Sequence, residues 1–148
     1  MPSLVTSTVT ENCVREFLSA AGYQLSPPRR HGETGVDIQA SRGTEELFIE
    51  VIGFKSSPPA RAKDFYEIFF RAVSRLDRGA TKCVIVLPAR FGVGLPARAI
   101  QHGTAWRRIG QAFPELCIWL VDTEACSITK RQWNEWIPPP VVANGAAR

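Results

Sequence analysis

No apolar run in this sequence is long enough to span a membrane, and the N-terminal MPSLVTSTVT has neither the basic patch nor the continuous apolar stretch of a secretion signal. A cytoplasmic protein without a membrane anchor is therefore expected. Histidine is scarce, with only His31 and His102. The four cysteines, Cys13, Cys83, Cys117 and Cys126, include no closely spaced pair, so the spacing of a zinc site is missing. Cys13, Cys83 and Cys117 fall in periodic apolar segments, where a free cysteine acts as a small hydrophobe, and no disulfide framework is expected. Internal repeats are absent. Lysine is scarce too: arginine far outnumbers it among the 18 basic residues.

What is present is a chain of 148 residues, the length of one domain with one sizeable core. The formal net charge of +4 favours an anionic partner mildly, and the preference for arginine sharpens that, because a guanidinium grips phosphate in a fork that an ammonium lacks. A solvated basic surface accounts for the charge equally well.

Along the chain, Thr8-Val9-Thr10-Glu11 fits a capping box, after which Cys13, Val14, Phe17, Leu18 and Ala21 recur at helical spacing up to Gly22. A short strand, YQLS, stops at Pro27-Pro28. A polar basic loop, RRHGETG, leads into two strands, and the prolines of KSSPPAR lead into a helix. From Ala62 to Leu76 that helix has an apolar stripe, with Glu67, Arg71, Arg75 and Arg78 on the opposite face. TKCVIVLPA and CIWLVDT read as buried strands. Between them Pro96 opens a helix with Ile100, Ala105, Trp106, Ile109 and Phe113 inward. ITKRQWNEWI is a short amphipathic piece, and Trp119, Trp133 and Trp136 read as packing anchors. The expected architecture is an α/β domain over residues 1–137, with an antiparallel hairpin and strand-helix-strand crossovers in one mixed sheet flanked by helices. Residues 138–148 form a frayed tail.

The hairpin carries the chemistry. With Gly43-Thr44 as a two-residue turn, Gly43 supplying a positive φ, Arg42 pairs with Glu45 and Asp37 falls directly opposite Glu50. Gln39, Ser41, Phe48 and Ile52 share their face, while Val36, Ile38, Ala40, Ile49 and Val51 take the other. Two opposed carboxylates destabilise a sheet unless something neutralises them. A divalent cation would do so, and two carboxylates with waters suit magnesium. A register shifted by a residue or two, or a nearby arginine paired with Glu50, would account for the pair equally.

GVDIQA (Gly35 to Ala40) followed by FIEVIGF (Phe48 to Phe54) resembles the PD-(D/E)XK nuclease superfamily, whose pattern places an Asp on one strand and Asp/Glu-x-Lys on the next. The resemblance extends over the order of elements through roughly the first 125 residues. It implies a restriction-endonuclease-like fold and hydrolysis of DNA phosphodiesters, with Mg2+ or Mn2+ held by Asp37, Glu50 and the backbone carbonyl of Val51. Resolvase-like members add a glutamate early in the first helix, matched by Glu11; capping with Thr8 or pairing with Arg15 explains Glu11 as well. The motif lysine is missing, since Ile52 stands in its place, and Val36 replaces the motif proline. Among substitutes for the lysine, Lys55 falls on the wrong face, while Lys63 and Arg61 begin the next helix and Lys63 is preferred.

Arg29 and Arg30, in the loop before the hairpin, are the expected phosphate contacts; the Arg71–Arg78 stripe and Arg107-Arg108 read as solvated. RFGVGLPAR has two spaced glycines but lacks the Walker lysine, and reads as a connection or flap over the strand ends. Two functions follow: a magnesium-dependent nuclease, or a catalytically inactive module of the same fold that binds nucleic acid or protein. Self-association or a partner subunit is left open.

Overall fold

Thr6 lies in extended backbone and its hydroxyl accepts the Val9 N–H at 3.3 Å, which starts the first helix, α1 (Ser7–Ala20). Gly22, at φ +90°, ends it: Gly22 N–H bonds to Ser19 O at 3.1 Å and Tyr23 N–H to Leu18 O at 3.0 Å. The cap is thus Thr6 and not Thr8. Glu11 falls in the second turn and pairs with Arg15, Nε to Oε2 at 2.8 Å, so it closes no capping box.

The computed structural model describes residues 5–30 and 35–136. Residues 31–34 of the basic loop and the expected tail lie outside them. The remaining elements are β1 (Gln24–Leu25), β2 (Ile38–Arg42), β3 (Glu45–Val51), α2 (Pro58–Ser74), β4 (Lys82–Pro88), α3 (Leu95–Gln101), α4 (Gly103–Ala112), β5 (Leu116–Asp122) and β6 (Ser127–Gln132). Short 3-10 turns follow α2 (Arg75–Arg78), β4 (Ala89–Val93) and β6 (Trp133–Trp136). The strands form one sheet in chain order, β1 to β6. The β3–β4 and β4–β5 pairs are parallel and the others antiparallel. The chain is α/β, with a six-stranded mixed sheet flanked by helices.

Alternation along the strands divides the core in two. Ile38, Ala40, Ile49, Val84, Val86 and Trp119 pack under Cys13, Val14 and Leu18 of α1. On the opposite face, Cys83, Ile85, Leu87 and Ile118 meet Phe65, Ile68 and Ala72 of α2 together with Leu95, Ala99 and Trp106. Trp106 and Trp133 stack with centroids 4.1 Å apart, and each indole N–H donates to the other's backbone carbonyl, at 2.9 and 2.8 Å. That pair of hydrogen bonds satisfies both polar handles inside the core. Trp119, Trp133 and Trp136 are all buried, as expected of anchors. Among the described residues no helix is long and apolar enough to cross a membrane.

Three local expectations are corrected. The described part of ITKRQWNEWI, Ile128 to Trp136, is an edge strand and a turn. The Asp122 side chain accepts the Glu124 and Ala125 N–H groups at 3.0 and 3.3 Å, folding the chain back to pair β6 with β5. The helix opened by Pro96 is two helices, broken at His102, and the phase change leaves Ile100 64% exposed and Ala105 outward. Finally, Cys13 is bonded to Cys126, across 113 residues of sequence. Sequence spacing hid the pair because packing of α1 across β5 brings it to the β5–β6 turn, where Cys126 adopts a positive φ of 51°. Cys83 and Cys117 are buried free thiols, and burial pushes Cys83 up to about 11.

A cross-link closing so long a loop restricts the unfolded chain strongly. Reduction, or the Cys13→Ala/Cys126→Ala pair, is expected to lower unfolding stability by about 2–5 kcal/mol in urea titrations. Equal midpoints with and without reductant would show that the bond does not form in solution.

Candidate functional site at the open end of the hairpin

Gly43, at φ +61°, makes the tight turn, and the rungs run from Arg42–Glu45 to Ile38–Ile49. This is the register expected from the turn residues. Asp37 lies one residue before β2 and Glu50 one residue before the end of β3, so they meet where the hairpin opens. Both are buried: Glu50 is 1% exposed and Asp37 8%.

Each acid is matched by an arginine from another element. Glu50 Oε2 accepts from Arg75 Nε at 2.8 Å; Arg75 lies just past α2, its side chain only 15% exposed. Asp37 Oδ1 pairs with Arg29, and its Oδ2 accepts the Val51 N–H at 2.8 Å. The Asp37 backbone carbonyl accepts from Arg15 Nη2 at 3.1 Å, and Arg15 is held by Glu11 and by the Ser26 carbonyl at 2.7 Å. Glu11 therefore reaches Asp37 through Arg15 and serves to position it. Burial raises the Glu50 carboxyl above the ordinary range against the Arg75 hydrogen bond, and the Asp37 charge pushes the same way as burial.

Ile52 is half-buried against the α2-side core and donates its N–H to Val86 O at 3.2 Å. The motif position is thus apolar packing. Lys63 is exposed on an open cleft of about 490 Å³ beside Val51, Ile52 and Gly53. Lys55 and Arg71 share that cleft, paired to Asp64 and Glu67 respectively. Arg61 turns elsewhere and donates to the carbonyls of Lys55 and Ser56 at 2.7 and 2.9 Å. Arg30 is exposed beside Arg29.

A magnesium ion bridging the acids would need a carboxylate oxygen from each, but both Asp37 oxygens are engaged and Glu50 Oε2 is tied to the part-buried Arg75 guanidinium, so the ion would have to displace or share these partners. Among the described residues, no group of three or more His, Cys, Asp or Glu side chains is gathered for a metal. The residues as arranged do not fit a preformed magnesium site. Val51 meets Asp37 through its amide N–H. The side chain that sequence reading underrated is Arg75. Its signal was its place four residues after Arg71, in a basic stripe read as solvated.

Comparison with known proteins finds no matching family model, no matching curated protein and no matching solved structure.

Removing one partner of a buried ion pair strands the other charge. Arg75→Met is expected to cost about 3–5 kcal/mol, and the Glu50→Gln/Arg75→Met double variant to recover most of it, in urea unfolding. The pH dependence has a definite sign. With its pKa raised, native Glu50 holds a proton more tightly than the unfolded chain does, whose value is near 4.5. Its contribution is most favourable below that value and is lost as pH rises through the folded pKa. Stability of the wild type relative to Glu50→Gln should therefore fall as pH rises from 4.5 and then level off; a rising difference would reverse the assignment.

Proposed function

We propose that this chain is a non-catalytic nucleic-acid-binding module, built on the frame of the PD-(D/E)XK nucleases, in which the acidic pair has become structural. The observation that carries this reading is the buried Glu50–Arg75 pair. A fixed guanidinium supplies the counter-charge that a metal would otherwise supply, and Ile52 puts packing where the motif lysine would put charge. The alternation of hairpin, crossover helix and parallel strands supports a restriction-endonuclease-like fold. The arginine-rich composition supports an anionic partner, with DNA the first candidate. A cytoplasmic setting goes with this reading, and there the Cys13–Cys126 bond would exchange with the thiol pool.

A second reading keeps catalysis, and one observation favours it: Lys63 lies on the wall of the cleft at the end of β3. That nuclease would need Arg29 and Arg75 to leave Asp37 and Glu50, freeing them and the Val51 carbonyl for Mg2+ or Mn2+. Arg29 and Arg30 are then phosphate contacts in both readings.

Fluorescence anisotropy with labelled single-stranded and duplex DNA, across a salt series, tests binding. A cleavage assay with Mg2+ and Mn2+ tests chemistry. The expected outcome is salt-sensitive binding, no metal-dependent cleavage, and an Asp37→Ala variant that loses stability but binds DNA as the wild type does. Metal-dependent cleavage abolished by Asp37→Ala would replace this reading with the nuclease.

A further inference from the structure

RFGVGLPAR lies apart from the acidic pair, yet it builds a second basic feature. The turn Ala89–Val93 carries Arg90 and Phe91 over the end of β4, α2 brings Arg61 and Phe65, and α3 brings Arg98. Together they line a cleft of about 340 Å³, within the size range of small-ligand sites. Three arginines and no acidic residue line it, unlike the cleft beside Lys63, whose lining includes Asp64 and Glu67.

Aromatic rings and neutral oxygens hold the guanidiniums of Arg61 and Arg98. Arg61 and Arg90 lie over the Phe54 ring at 4.4 and 4.7 Å from its centroid, and Phe91 meets Phe54 edge-on at 5.1 Å. Arg98 lies 5.5 and 5.4 Å from the Phe65 and Tyr66 centroids and donates to the Tyr66 hydroxyl at 2.7 Å. Arg61 donates to two backbone carbonyls. These bonds engage two of the five guanidinium N–H groups of Arg61 and one of those of Arg98, and their acceptors carry no negative charge. The ring contacts and hydrogen bonds hold these side chains in place, so less side-chain freedom remains to be lost on binding. Val93, 88% exposed, forms an apolar rim.

Resting on the proposed nucleic-acid role, the geometry points to this cleft as a seat for the phosphodiester backbone of a single strand. Arg61 and Arg98 take phosphate oxygens, and an unstacked base lies against Phe91 and Val93. A recess between three elements with an apolar rim admits a splayed nucleotide, whereas a duplex keeps its bases stacked inside a convex cylinder.

The test is anisotropy of a labelled oligothymidylate with three proteins: wild type, Arg61→Gln/Arg98→Gln, and Arg107→Gln/Arg108→Gln on the exposed side of α4. All are checked for unchanged melting. The cleft variant should bind about tenfold or more weakly and lose about 1.4 from the slope of log K against log salt, or 0.7 per phosphate contact. The α4 variant should change less than about threefold. Arg61→Gln alone, expected to lose half that slope, serves if Arg98 supports α3. Equal weakening of both double variants overturns the site and leaves the binding role standing; a wild type that binds no oligonucleotide overturns both. Inorganic phosphate competing as well as the oligonucleotide at matched ionic strength overturns the assignment to a polymer.

Discussion

Two carboxylates buried at the mouth of one hairpin set the terms for the elements around them. Asp37 and Glu50 cannot both be charged inside the sheet without counter-charges close by. The chain supplies these from two directions, Arg29 from the loop before β2 and Arg75 from the turn after α2. Each pairing docks a segment that would otherwise end loosely. The Val51 amide adds a third restraint, tying the carboxylate at the start of β2 to the last residue of β3. The ion pairs here specify where parts go more than they add stability, because desolvation offsets much of the attraction.

The two cores differ in how they are closed. On the α1 side the sheet is covered by a single helix, pinned at its middle by the Cys13–Cys126 bond and just before its N-terminus by the Val5–Phe54 bridge. The bridge depends on Gly53: a Cβ there would lie 2.3 Å from Val5 O. The opposite side is closed by aromatic packing, with Phe65, Trp106 and Trp133 in a stacked group. Arginines at its margin lie near the rings of Phe54, Phe65 and Tyr66, which places the basic cleft at the seam between helices and strand ends.

The parts legible in the sequence were those fixed by local rules. Gly43 and the alternation around it gave the hairpin register rung by rung, and Pro58-Pro59 signalled the start of α2. Continuous apolar runs marked β4 and β5 as buried on both faces. Illegible parts depended on tertiary partners. Nothing near Cys13 announces Cys126, and nothing in the arginine stripe separates Arg75, which turns inward, from Arg71, which pairs with Glu67 on the surface. The β6 strand was missed because its six residues are mostly exposed, so no alternation of burial marks it; only the Asp122 turn and the pairing to β5 define it. At the candidate site the two acids and their opposition were readable, while the identity of what neutralises them was not.

The Cys13–Cys126 bond makes most of the described chain a covalent ring, from α1 to the last hairpin turn. A protease that cuts any exposed loop inside that ring produces two peptides that remain one molecule until a reductant arrives. The sheet can then keep its strands in place around the break, and damage that would scatter a linear chain leaves this one assembled.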